Sequence, residues 1–288
     1  MLGLAFAQYD DAYKKYHKLS LSILKEFGFG AQRVSETRIL REVESMNDEI
    51  VKQNGRPFYP KWLMIYSTSN FMLSILFGKN FLQYSPNDHS TIVEGTVECA
   101  ASFDMTLNLA PAARFLPIFW KTINCLRTSS ERMLNGIETG IKFSKSNSSE
   151  ASFVGRLLEI EGPGYSHQDL LYVLRDMCFA SVENVSTTLQ WAIVELANHP
   201  EIQNRFQIEI DDVVPKDRLP FLDDKPRLPY TEAVILEIMR RRTVLPFLLT
   251  HATLKDAKVL GYDVPKGCMV SINWSVFPWC KLHVYINR

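Results

Sequence analysis

The stretch SHQDLLYVLRDMCFASVENVSTTLQWAIVELANHP, running from Ser166 to Pro200, decides how the chain is read. Ser166 with Asp169 three residues later forms a weak capping box, since Glu or Gln is stronger at the second position. No breaker follows before His199-Pro200, so the pattern predicts one helix of roughly 30 residues, against a mean of about 11–12. Its apolar side chains, among them Val173, Met177, Phe179, Val182, Val185, Leu189, Trp191 and Ile193, fall on every face. A helix apolar all round is expected in the interior. Yet the middle holds Ser181, Glu183 and Asn184. A carboxylate in a dry helix must be paired, hydrogen-bonded or protonated. Beside polar groups it can hold a water and pass protons. An acid that simply reaches the helix rim is an equally good reading.

Working outward, more helices precede this one. Ala12–Phe27 carries Tyr16, Leu19, Ile23 and Phe27 at spacings of three and four, with a stop at Gly28-Phe29-Gly30. Lys14, Lys15, Lys18 and Lys25 lie mostly off that stripe and make a basic face, either solvated or docking an acidic partner. Ser35–Gln53 reads as a charged, solvated helix ended by Asn54-Gly55, and Trp62–Phe77 as a buried helix ending at Gly78. Thr91–Leu109 is a helix stopped by Pro111, and Thr122–Ser144 is a long polar one followed by a Ser/Asn loop to Ser152. Downstream, Pro200-Glu201 opens a helix in the favoured first-turn manner. Another runs from near Tyr230 to about Arg242.

After Pro246 the period changes to two. Phe247–Thr253, Lys258–Val264 and Cys268–Trp274 alternate as strands, with turns at Lys255-Asp256 and Pro265-Lys266-Gly267. The expected fold class is therefore mainly α with a small antiparallel β-sheet (α+β).

Composition narrows the function classes. Of 288 residues 46% are hydrophobic and 22% charged, an ordinary globular balance. With 32 basic and 32 acidic side chains, a bulk attraction to nucleic acid or anionic lipid is not expected, which leaves local patches open. Five scattered cysteines, Cys99, Cys125, Cys178, Cys268 and Cys280, form no C-x-x-C pair and no zinc spacing. Free thiols in a reducing compartment are the expectation. No signal peptide or membrane span is read in these residues.

Three polar features remain. Glu237 and Arg240 are three apart on a helix and share a face. Exposed, such a pair is surface decoration; buried, it is costly and needs further partners. His251 sits in a strand-like stretch, where a satisfied half-buried histidine is commoner than a ligand. His17, on the lysine-rich helix, reads the same way.

Taken together, these pieces resemble the cytochromes P-450, and most closely the animal microsomal group that includes the vertebrate drug and steroid hydroxylases. Residues 169–203, with Ala180-Ser181-Val182-Glu183-Asn184-Val185-Ser186-Thr187-Thr188-Leu189, Trp191 and Asn198-His199-Pro200, look like that family's central helix. Leu228-Pro229-Tyr230-Thr231-Glu232-Ala233 with Glu237-Ile238-Met239-Arg240 looks like its Glu-x-x-Arg helix. His251-Ala252-Thr253, Asp256, Gly261-Tyr262 and Val264-Pro265-Lys266-Gly267 match the hairpins that follow, and Ser74-Ile75-Leu76-Phe77-Gly78-Lys79 fits an earlier helix. The likeness runs from near Gly3 to about Phe277, so residues 1–277 are expected to be a partial cytochrome P-450 domain and 278–288 a divergent tail.

The resemblance implies a haem-dependent monooxygenase and oxidoreductase with haem b (heme, iron), a small lipophilic substrate, and electrons from NADPH through a reductase. It also implies a place at the endoplasmic reticulum membrane for the full-length family. Glu183 takes the acid position of the pair that delivers protons for oxygen activation. Asn184 replaces the family's alcohol, with Ser186 or a water as the available substitute, because an amide cannot donate and re-accept a proton as a hydroxyl does. Glu237 and Arg240 match the pair that locks the core beside the haem. Tyr13, His17 and His251 fall at haem-propionate positions. Phe179, Ala180, Val244 and Phe247 fall at substrate-facing ones, and Lys14, Lys15, Lys18 and Lys25 lie where the reductase docks. The membrane anchor, first helices and most of the main sheet have no counterpart before Met1. The Phe-x-x-Gly-x-Arg-x-Cys-x-Gly loop, whose thiolate binds iron, has none either, because Cys280 lacks its glycines and arginine. The chain is thus expected to be inactive as it stands; the alternative is a non-catalytic haem- or partner-binding fragment.

Overall fold

Local chemistry starts and stops most of the helices. The computed structural model describes residues 3–5, 7–29, 35–102, 107, 111–147, 151–161, 166–246, 248–249 and 251–272. They fall into two compact units, Met1–Ser186 and Thr187–Arg288.

In the first unit, α1 (Asp11–Glu26) starts where the Asp10 carboxylate accepts from Tyr13 N. Helix α2 (Glu36–Lys52) buries none of its residues, as its charge pattern requires, while α3 (Lys61–Leu76) buries seven. A single turn, α4 (Phe81–Tyr84), leads to α5 (Pro86–Ala101). Helix α6 (Trp120–Ser146) follows two short 3-10 turns, Pro111–Phe115 and Pro117–Phe119. Then comes α7 (Phe153–Glu161), and α8 (His167–Asn198) is the predicted long helix at 32 residues. The core gathers Ile23, Phe77, Phe81, Ile92, Ile137, Phe153, Val173 and Leu174 from these helices. Helices α5 and α6 approach closely because glycines face across the seam. A Cβ on Gly95 would sit 2.9 Å from Ser129 O, and one on Gly136 would sit 2.9 Å from Asp88 O.

The second unit holds the last turns of α8, then α9 (Pro200–Val213) and α10 (Pro229–Arg241). Glu209 of α9 accepts from Tyr230 N (2.9 Å) and Thr231 N (2.7 Å), capping α10 with a side chain from its neighbour. Between them, buried Asp224 accepts two bonds from Arg218 (2.7 and 2.9 Å), one from Arg227 and one from Phe221 N. The Arg218 guanidinium foremost holds its carboxyl well below the usual range. The strands are short antiparallel pairs: β1 (His251–Ala252) with β4 (Met269–Val270), and β2 (Ala257–Val259) with β3 (Tyr262–Val264).

The structure revises the sequence reading in four places. The helix expected from Thr91 begins at Pro86, whose missing N–H costs nothing in a first turn. The loop expected to end at Ser152 gives way at once to α7, with Ser152 Oγ accepting from Gly155 N at 3.0 Å. The strand expected over Lys258–Val264 is a hairpin, turned by Leu260 (φ 52°) and Gly261 (φ 89°). Both positive angles match the right-handed twist of the strands, and Leu is a costly residue there. Finally, α8 is interior only in its first half. Leu170, Val173, Leu174, Cys178 and Val182 are buried, but Val185, Leu189, Trp191, Ile193 and Val194 are exposed. Apolar residues on every face show what a helix can bury, whereas the described residues cover one side of that half. Phe247, the divergent tail and Cys280 lie outside the described residues.

Candidate functional site

The polar residues in the middle of α8 fold back onto their own helix. Asn184 Nδ2 donates to Ala180 O at 2.9 Å, and Ser181 Oγ donates to Cys178 O at 3.1 Å. Ser186 Oγ, fully buried, lies 2.6 Å from Val182 O and 3.3 Å from Glu183 O. Such bonds to a carbonyl one turn back satisfy a hydroxyl or amide without a partner from another element. The Ser186 hydroxyl hydrogen is therefore engaged, and one Asn184 amide hydrogen as well. Glu183, Asn184 and Phe179 are half-buried and Ala180 is exposed, so four of the sequence-derived residues share two turns of one helix.

A buried carboxylate one turn upstream escaped the sequence reading. Asp176 Oδ2 accepts from Leu4 N (2.7 Å) and Ala5 N (2.9 Å), while Arg175 holds Oδ1 at 2.7 and 3.1 Å. Gly3 makes this approach possible with φ 87°, because a Cβ there would run into Asp176 Oδ2. The contact spans 172 residues, so no local spacing announces it.

On α1, the Tyr13 and His17 rings stack at 5.5 Å with planes 20° apart. Tyr13 is half-buried and His17 exposed. Lys14, Lys15, Lys18 and Lys25 are all exposed. Lys14 is paired with Asp11 at 3.0 Å, and that carboxylate raises the ammonium above its ordinary value and trims the positive face.

In the second unit, Glu237 and Arg240 meet through two bonds, Nε to Oε2 at 2.7 Å and Nη2 to Oε1 at 2.6 Å. The guanidinium lowers the carboxyl and the carboxylate raises the guanidinium. Both side chains are well exposed, 49% and 36%, so the pair is geometrically specific but energetically small here. His251 is exposed on β1, opposite Val270, and Val244 is half-buried. A further charge cluster of this unit was also missed. Buried Glu195 on α8 accepts from Arg242 Nε, with Arg241 at 3.9 Å and His199 Nδ1 at 3.7 Å. The Arg242 bond is the main reason its carboxyl sits below the usual value. Arg242 also stacks over Trp191 at 4.4 Å. Only the local member of this cluster, His199 four residues after Glu195, has a spacing that a sequence reading could use.

Among the described residues no group of three or more His, Cys, Asp and Glu side chains is placed to hold a metal ion. Nor does the chemistry of the buried thiols suit a thiolate ligand. Burial pushes Cys178 up to about 12 and raises Cys99, so both remain thiols at neutral pH.

The family model described as Cytochrome P450 matches residues 2–277. Cytochrome P450 2U1 of Rattus norvegicus is 28% identical over 288 residues, covering 95% of this chain and 54% of its own length. Cytochrome P450 2F3 of Capra hircus is 31% identical over 282 residues, with 92% and 56% covered. The chain therefore spans about half the length of the curated relatives it matches. A solved structure of a zebra fish cytochrome P450 with progesterone superposes with a TM-score of 0.83 at 26% identity, covering 98% of this chain and 66% of that one.

Proposed function

Because the chain belongs to the cytochrome P450 family, we propose that its chemistry is that of a haem-dependent monooxygenase. Such an enzyme inserts one oxygen atom from O2 into a small lipophilic substrate at the endoplasmic reticulum membrane, with NADPH as electron source through a reductase. We further propose that the 288-residue polypeptide does not turn over by itself. The observation that carries the first part is the match over residues 2–277. The second part rests on the thiols: none of the five cysteines lies in the family's ligand motif, and burial keeps Cys99 and Cys178 protonated.

Within this reading the roles fall to named side chains. Glu183 is the acid of the central helix. Asn184 holds the alcohol's position, and its 2.9 Å bond to Ala180 O orients the amide without making it a proton relay. By family resemblance Phe179, Ala180, Val244 and Phe247 are assigned substrate contacts, and the progesterone of the zebra fish protein suggests a steroid-sized molecule. By family resemblance Tyr13, His17 and His251 would hold haem propionates, and the Glu237–Arg240 pair would serve as scaffold. The test supplies the chain with hemin, a P450 reductase, NADPH and progesterone, and follows products by mass spectrometry. No oxygenated steroid is expected; one formed in proportion to added chain overturns the claim of inactivity.

The exposed lysines of α1 favour a second reading, a non-catalytic fragment that binds haem or a reductase. Reductase binding that weakens on Lys15→Gln and Lys18→Gln, with no turnover, supports it. Binding indifferent to these changes removes it.

A further inference from the structure

The seam between α5 and α6 runs in a fixed register. Across it, a Cβ on Gly95 would stand 2.9 Å from Ser129 O, and one on Gly136 would stand 2.9 Å from Asp88 O. From Asp88 to Gly95 is seven residues along α5, and from Gly136 back to Ser129 is seven along α6. The two helices therefore run antiparallel, with facing positions advancing together. One further turn, four residues along each helix, brings Cys99 opposite Cys125.

Side-chain contacts put both thiols at this end of the seam. Cys99 Sγ donates toward Leu126 O, on the residue after Cys125, at 3.9 Å. Ser102, three residues on from Cys99, donates its hydroxyl to Cys125 Sγ at 3.1 Å. Cys125 is also near enough to add to the rise of the Cys99 thiol, whose main cause is burial. Packed helices have axes about 8–10 Å apart, and with Cα atoms at a radius of about 2.3 Å the facing Cα atoms lie roughly 4–6 Å from each other. A disulfide needs a Cα separation of about 4.4–6.8 Å. Both cysteines are free in this structure, Cys99 buried and Cys125 exposed.

We propose that Cys99 and Cys125 are a reversible disulfide pair, which fastens the end of α5 to the start of α6 when a small disulfide such as oxidised glutathione is abundant. Exposed Cys125 reacts first: its thiolate attacks one sulfur of oxidised glutathione, forming a mixed disulfide and releasing one glutathione thiolate. The Cys99 thiolate then attacks Cys125 Sγ and releases the second glutathione. The two protons lost by the protein thiols end on the two glutathione thiolates. Two protein thiols are thus oxidised to one disulfide while one glutathione disulfide is reduced to two thiols. The bridge closes a loop over residues 100–124. Cys178, fully buried in α8 with its thiol pushed up to about 12, stays unreacted. Excess reduced glutathione reopens the bridge. The pair needs neither haem nor turnover, so it stands or falls apart from the function proposed above.

The test incubates the native 288-residue chain with mixtures of oxidised and reduced glutathione, blocks the remaining thiols with iodoacetamide and maps the peptides by mass spectrometry. A peptide pair joined through Cys99 and Cys125, lighter by two hydrogens, is expected, and it should vanish under excess reduced glutathione. Cys99→Ser is expected to lose the link and to keep one glutathione on Cys125. Cys125→Ser, a change at an exposed position, is expected to lose both. The oxidised parent should unfold at a higher urea concentration than the reduced parent, because the bridge restricts the unfolded chain, and Cys125→Ser should show no such rise. Oxidation in urea should instead scatter links among the five cysteines. The proposal is overturned if no link forms in the native parent, if glutathione simply stays on Cys125, or if Cys125 pairs with another cysteine. It is also overturned if native and unfolded chains give the same links, or if the oxidised and reduced parents share one urea midpoint.

Discussion

Acid should destabilise this fold through one histidine. His89 on α5 is buried, and its Nε2 meets no hydrogen-bond partner among the described residues. Its ring stacks on Tyr66 at 6.0 Å, and the Tyr66 hydroxyl lies 3.5 Å from Glu94 Oε1. Burial lowers its pKa from 6.5 to about 4, because a charged imidazolium would lose its water there. Above pH 6.5 the ring is neutral both folded and unfolded. Between 6.5 and about 4 the unfolded chain takes up a proton that the folded chain refuses, so stability falls as pH falls through that window. At ~1.4 kcal/mol per pH unit, the loss approaches about 3 kcal/mol and is complete near pH 4. Urea unfolding of the parent and of His89→Leu at several pH values from 7.5 to 4 measures it. Carboxylates titrate in both proteins and cancel in the difference, so the parent should lose about 2–3 kcal/mol more than the variant. Parallel pH profiles, or an NMR titration giving His89 an ordinary value near 6.5, would refute the reasoning.

Other consequences follow from packing and capping. Asp176→Ala leaves the Leu4 and Ala5 amides and the Arg175 guanidinium without their carboxylate. A loss of about 2–4 kcal/mol is expected, with faster amide exchange at residues 4 and 5; unchanged exchange there would show that the latch is not formed. Gly136→Val puts a Cβ 2.6 Å from Ile92 Cγ1 and 2.9 Å from a backbone oxygen. The helices must separate, at about 2 kcal/mol or more in a thermal melt, and a neutral result would mean that the α5–α6 seam is looser. Glu209→Ala removes the cap on α10 and should cost about 1–2 kcal/mol, readable in urea. If Glu209→Gln restores all of it, the charge of Glu209 plays no part.

What the sequence made legible was local. Gly78, Asn54-Gly55 and Pro200 end or open helices by backbone geometry, and the three-residue spacing of Glu237 and Arg240 puts them within reach of each other. Spacing could not say whether that pair is buried, since exposure depends on what packs over α10. The turn at Leu260-Gly261 was hidden because leucine gives no sign of a positive φ. Helix α7 was hidden because Ser152 reads equally as a loop residue and as a cap. Asp176 with Leu4 and Glu195 with Arg242 are 172 and 47 residues apart, so only tertiary folding brings them together. Of the residues derived from the sequence, Phe179, Ala180, Glu183 and Asn184 are local neighbours on α8 by periodicity alone. The likeness to a family supplied their chemical roles, which periodicity cannot.

The proposal that most needs a test is that these 288 residues by themselves do not bind iron through a thiolate. A carbon monoxide difference spectrum of the purified chain, loaded with hemin and reduced with dithionite, tests it most directly. No absorbance peak of thiolate-ligated haem is expected, and the same blank in Cys178→Ser. A thiolate peak in the parent that disappears on replacing any one of its five cysteines would contradict it.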